Sequence, residues 1–147
     1  MLAVAALVVV MDQVAKAAIQ GSLEPGESND LILGFQLTRV TNSGVAFGLF
    51  SEGGDAVVIG FTAAALALIV AWFIVDTTRP GLWLGVGLLT GGALGNLADR
   101  IFDGAVTDFL DPPIWPSFNV ADIAITLGVV VIAFSALAPP AEQATEP

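Results

Sequence analysis

A chain of 147 residues that is 56% hydrophobic, with a mean hydropathy of +0.87 and 12% charged residues, is too apolar for an ordinary soluble domain and too short for two. Its net charge of -10 leaves only four basic residues, Lys16, Arg39, Arg79 and Arg100, so a nucleic-acid partner is excluded for want of a basic footprint. Without Cys, His or Tyr there is no disulfide, thiolate chemistry or Cys-ligated metal, and acid-base work falls to Asp and Glu, with Lys16 the sole amine side chain.

Measured against the roughly 20 helical residues that a bilayer core requires, four apolar windows emerge in chain order. Residues 1–19, "MLAVAALVVVMDQVAKAAI", form a first span once Asp12 and Lys16 are admitted. A cleaved signal peptide is the other reading, since "AKA" at 15–17 fits a small-x-small cleavage site, but the basic n-region is missing and an acid sits in the apolar stretch. A polar loop follows, in which "ILGFQLTRV" alternates like a strand before the turn-forming "TNSG". Residues 57–75 make an uncharged second span, and residues 81–99 the third, after the tight "DTTRP" connection. Five aspartates then crowd into "DRIFDGAVTDFLDPPIWPSFNVAD" before the fourth span at 119–138, and "PPAEQATEP" at 139–147 is a disordered tail. The expected fold class is an all-α integral membrane protein: a four-transmembrane-helix bundle, one unit over 1–138, with a small extended element in the first outer loop.

Arg79 places the connection between spans two and three in the cytoplasm by the positive-inside rule, and both termini with it. Threaded this way, spans one and three exit outward at Lys16 and at Asn96 to Arg100, and span four enters from outside at Asn119 and Asp122. The polar residues of three spans therefore meet at one membrane face. Asp12 with Lys16 and Asn96 with Arg100 are spaced i,i+4, and Asn119 with Asp122 i,i+3, so each pair shares a helical face. Ionisable residues at such depth are costly and mark sites facing a bundle interior or a wet cavity.

Blander readings stand beside this. Asp12–Lys16 is also readable as an ion pair at a helix end, and Asn96 with Arg100 as an interfacial anchor. Gly87, Gly91 and Gly95 repeat every four residues and read as helix packing alone. Asp99, Asp103 and Asp111, at or just past a span end, read as solvated charges, with Asp99 turned about 100° away from the Asn96–Arg100 face.

Asp108 and Asp122 differ in context: Asp108 lies in apolar "VTDFL", Asp122 at the mouth of span four. If they face each other in a partly dry pocket they do not both ionise, and the pair holds an acid and a base together at neutral pH. That combination activates water against a carbonyl without a covalent intermediate. A magnesium phosphotransferase built on Asp99, Asp103, Asp108 and Asp111 is a rival, although the spacing does not match the known acidic pattern of such enzymes. A transporter or channel subunit is another, opposed by the apolar middles of spans two and four.

"DQVAK", "TNSGVAFG", "GGALGNLADRI" with "GAVTDFLD", and "WPSFNVADIAI", in this order on four spans, resemble the lipoprotein signal peptidases, or signal peptidase II. The resemblance implies a bacterial aspartic endopeptidase that removes the signal peptide from a diacylglyceryl-modified prolipoprotein. It implies a catalytic pair Asp108 and Asp122, with Asp12, Lys16, Asn42, Gly44, Asn96, Arg100 and Asn119 supporting or holding substrate. No metal or cofactor is expected; a four-span bundle with an internal site suits a monomer in contact with membrane lipid, and the resemblance together with Arg79 places the chain in the bacterial cytoplasmic (inner) membrane with the active site at its outer face. The outer loop, with Phe35, Phe47 and Phe50, then forms a lip over the pocket and aims Asn42 at substrate. Two departures are visible: Ile123 stands where the family usually has Ser, and no basic residues precede the first span.

Overall fold

The structure, a computed structural model, describes residues 1–42, 54–75 and 79–138. Gly44, Phe47, Phe50 and the expected tail at 139–147 lie outside the described residues. Among the described residues there are four helices: α1 (Leu2–Ser22), α2 (Gly54–Val75), α3 (Leu82–Phe102) and α4 (Val120–Leu137). α1 and α4 are long and apolar enough to cross a membrane, and Ile59–Val75 of α2 is a shorter apolar run. α3 interleaves glycines and polar residues among its aliphatics because it is the helix against which the others pack.

The α1–α3 contact is set by glycine. A β-carbon at Gly87 would lie 3.0 Å from Val4 Cβ, and one at Gly91 2.7 Å from Val8 Cβ and from the Ala5 carbonyl oxygen. One at Gly95 would lie 2.7 Å from an Asp12 carboxylate oxygen. The two helices thus run in the same direction, with the i,i+4 ridge 4-8-12 laid on the ridge 87-91-95, as small residues permit. α4 runs the other way along a second face of α3, where Gly92 meets the Ala121 carbonyl oxygen and Gly128 approaches the backbone of Gly85 and Leu89. Arg79 Nη1 donates to the Ala136 carbonyl at 2.9 Å, satisfying an end of α4.

The extended element is larger than expected. β1 (Ser28–Asp30), β2 (Gln36–Asn42) and β3 (Val106–Asp111) form an antiparallel sheet in the order β1-β2-β3, so a strand from the second outer loop joins those of the first. Of "ILGFQLTRV", Ile32–Gly34 is a 3-10 turn and only Gln36 onward is strand. A register shift between Leu37 and Val40 sets Val40 opposite Asp108. The period of two in β3 sends Phe109 toward Ile19 of α1 and Leu23 just past its end in a small apolar core, while Asp108 turns the other way. Arg39 on β2 ties the sheet to α1 by donating to the carbonyls of Gln20 (3.2 Å) and Leu23 (3.0 Å).

Candidate active site

α4 begins at Asn119, whose side-chain oxygen accepts from the Asp122 amide at 3.0 Å while Asp122 Oδ2 accepts from the Asn119 amide at 3.2 Å. Asn and Asp three apart form a reciprocal cap on a helix start, and here that cap locks the Asp122 backbone and carboxylate together. A third orphan donor of the same turn, the Ala121 amide, is taken from another helix by Asp12 Oδ1 at 2.9 Å.

Asn119 also joins the two expected catalytic carboxylates. Its Nδ2 donates to Asp108 Oδ1 at 2.8 Å and to Asn96 Oδ1 at 3.0 Å, and Asn96 Nδ2 donates to Asp122 Oδ1 at 2.9 Å. The orientation of the Asn96 amide follows from Lys16, an ammonium with donors only, which donates to Asn96 Oδ1 at 2.9 Å and so turns the amide nitrogen toward Asp122. Asn42 Nδ2 donates to Asp108 Oδ2 at 3.0 Å. Asp12, Lys16, Asp108 and Asn119 are all buried, and Asp122 is half-buried at the rim.

Burial pushes the Asp108 carboxyl up from 3.8 to about 6, an effect that the Asn42 amide opposes, the Asp122 charge reinforces, and Lys16 and Asn119 oppose further. Desolvation wins because the strand that carries Asp108 is covered on both faces.

Two cavities flank this network. One, of about 370 Å³, is lined by Trp115, Phe118, Asp122, Ile123, Thr126 and Leu127. The other, of about 210 Å³, is lined by Ile59, Thr62, Ala93, Asn96, Leu97, Arg100 and Ile125, and a third shares Thr62, Ala93 and Ile125 with it and extends between α2 and α3 to Ile69 and Leu89. Ile123 is therefore cavity wall, beside Asp122.

The structure brings Asp12, Lys16, Asn42, Asn96, Asp108, Asn119 and Asp122 together, whereas Arg100 stays at the edge. Its Nη1 donates to the Asn96 carbonyl at 3.2 Å, and its side chain lines the smaller cavity. Asp99 is a correction. It is 4% exposed, not solvated, and pairs with Lys16 at 2.7 Å while accepting from Gln13 Nε2 at 2.7 Å. The rotation that turns it from Asn96 turns it toward α1, where it continues the ridge 87-91-95 by one more turn; that four-residue series was the signal for it. For the same reason Gly95 does more than pack, since it leaves room for the Asp12 carboxylate. Asp111 is a second correction: it accepts from Ser117 Oγ at 2.9 Å and Thr38 Oγ1 at 3.2 Å, stapling the outer loop. Asp103 is exposed as expected. Asp99, Asp108 and Asp111 thus go to different partners. Gln13 and Gln20 are further members of the site that sequence motifs do not mark, although both share the Lys16 face of α1 at spacings of three and four.

A family model described as signal peptidase (SPase) II matches residues 4–138. The chain belongs to the signal peptidase II family. A lipoprotein signal peptidase from Moorella thermoacetica is 42% identical over 147 residues, covering 99% of this chain and 98% of the relative, and one from Pelotomaculum thermopropionicum is 42% identical over 90% of this chain and 88% of its own. Two solved structures described as bacterial membrane enzymes superpose with a TM-score of 0.83 each, at 31% identity over 98% of this chain and 91% of the other, and at 34% over 91% and 90%. Membership in signal peptidase II makes this chain a membrane peptidase.

Proposed function

We propose that the chain is an aspartic endopeptidase that removes the signal peptide from diacylglyceryl-modified prolipoproteins, with Asp108 and Asp122 as the catalytic pair. The observation that carries this reading is the amide bridge: Asn119 and Asn96 hold both carboxylates in one network where α3, α4 and β3 meet. Asp108 is the member whose protonated form burial favours, its carboxyl being pushed up to about 6. Asp122, at the cavity rim and in the first turn of a helix, takes a proton from water as that water attacks the scissile carbonyl; Asp108 gives its proton to the carbonyl oxygen, and the pair then protonates the leaving amine.

The surroundings suit a substrate with apolar parts on both sides of the cut bond. The cavity at Trp115 and Leu127 and the cleft under α2 each open from the polar network onto apolar walls, so a signal-peptide helix and acyl chains keep to lipid while one peptide bond meets the carboxylates. On this reading all four helices span the bacterial inner membrane, residues 1–138 act as one unit and as a monomer, both termini are cytoplasmic, and the sheet lies at the outer face.

Cleavage of a diacylglyceryl-modified lipobox peptide by the purified protein is the test. Asp108→Asn and Asp122→Asn should each lower the rate by about a hundredfold or more while the protein stays folded in detergent. Near wild-type cleavage by either variant removes that residue from the pair.

A further inference from the structure

Lys16 is 2% exposed and has three donors, and all three are used: Asp12 Oδ2 at 2.7 Å, Asp99 Oδ2 at 2.7 Å and Asn96 Oδ1 at 2.9 Å. One carboxylate would neutralise the ammonium. A second, buried beside Asp108 and Asp122, adds like charge where it is least welcome, and buried ion pairs are a weak source of stability in any case. What the two carboxylates have in common is where they reach. Asp12 accepts from the Ala121 amide at 2.9 Å, the residue before Asp122. Asp99 accepts from the Thr107 amide at 3.4 Å, the residue before Asp108. Thr107 is held from its other side by Gln20 Nε2, which donates to its hydroxyl at 2.8 Å, and Asp99 itself is fixed by Gln13 Nε2.

We propose that Asp99 is a positioning residue for Asp108, joined through Lys16 to Asp12 as the positioning residue for Asp122, so that one buried ammonium sets the separation of the catalytic pair. The inference rests on the assignment of that pair. Each arm of the clamp ends on backbone, one residue short of a catalytic carboxylate, so it fixes where the strand and the helix stand without consuming the oxygens that do chemistry. Lys16 reaches both arms because α1 and α3 run in the same direction with their ridges aligned, which brings residue 16 level with residue 99.

Loss of the clamp has a signature that loss of stability alone lacks. The charged groups around the pair are Asp12 and Lys16 from α1, Asp99 and Arg100 from α3, and the two carboxylates themselves; β2 contributes the neutral Asn42. Removing the Asp99 charge leaves Lys16 less compensated and makes ionisation of the pair easier. In Asp99→Asn, both limbs of the pH profile of kcat should therefore move to lower pH, and kcat should fall about tenfold or more with KM little changed, as expected for misplaced groups. Gln13→Leu frees the other Asp99 oxygen without altering charge, and should lower kcat a few-fold without moving either limb. Asp103→Asn removes the same charge from the exposed end of α3 and should do neither.

These are measured on the full-length protein in detergent with the lipid-modified peptide, alongside thermal melting. Asp99→Asn that melts lower but keeps its kcat and both limbs overturns the clamp. Should that variant fail to fold, Gln13→Leu decides: unaltered kcat overturns the proposal. Asp108→Asn separates the two levels, since retained cleavage there sinks the catalytic pair itself, whereas lost cleavage with an unaltered Asp99→Asn sinks only the clamp.

Discussion

The seam between α1 and α3 has two halves that share one register and differ in chemistry. Toward the chain's N-terminus, Gly87 and Gly91 lie against Val4, Ala5 and Val8, with nothing but backbone and aliphatic carbon in contact. One and two turns further on, the same ridges carry Asp12 against Gly95 and Lys16 against Asp99. The apolar half brings the helices close, by dispersion and by the absence of side chains. The polar half contributes little stability of its own, because each buried charge is desolvated. Its geometry is inherited from the half that packs, and the site's precision is a consequence of glycines some distance from it.

The division predicts that damage to the two halves reads out differently. Gly91→Val should have the largest effect: its β-carbon would stand 2.7 Å from Val8 Cβ and from the Ala5 carbonyl oxygen, backbone that does not give way. Overpacking of this kind costs about 1–3 kcal/mol or more. Both the melting temperature in detergent and peptide cleavage should fall, and loss of cleavage with unaltered melting would deny that the apolar half is structural.

Gly95→Ala should come next and fall on activity. The added methyl would meet Asp12 Oδ2 at 2.7 Å, and that carboxylate is already committed to Lys16 and to the Ala121 amide, so it moves at the expense of the start of α4. Cleavage should drop by about tenfold with a smaller change in melting than Gly91→Val gives, and a drop in melting that matches Gly91→Val would erase the distinction between the halves.

The smallest effect expected is on stability, at Asp108. A carboxyl raised from 3.8 to about 6 in the folded protein binds its proton more tightly there than in the unfolded chain. Its contribution is fully present below pH 3.8 and is lost as pH rises through about 6. Asp108→Asn removes that loss, so the variant should gain on wild type in melting temperature between pH 4 and pH 8. A difference that stays flat across this range would show that Asp108 is not the strained member of the site.

Much of the site was legible because helical spacing is a local property. Asp12 with Lys16, and Asn119 with Asp122, follow from i,i+4 and i,i+3 neighbours on helices that composition alone predicts, and the structure groups them with Asn96, Asn42 and Asp108. Asp99 is not legible from its rotation relative to Asn96, which faces α4, because the face that matters for it belongs to α1. Gln13 and Gln20 are not legible in the sequence because a neutral amide in a helix carries no periodic signal of its own.

The sequence by itself determined the membrane class, the four helical segments and the family, since hydropathy, residue spacing and ordered motifs are all written along the chain. Only the tertiary structure decided that "VTDFLD" is a strand completing a sheet with the first loop, and that this pairing turns Asp108 toward Asn119. Strand pairing over more than sixty positions is a non-local choice, made where Phe109 finds Ile19 and Leu23, and no window of the sequence contains both partners. The same holds for Lys16 and Asp99. Their contact exists because glycines one to three turns earlier let two helices touch, a condition met in space and recorded nowhere in the neighbourhood of either residue.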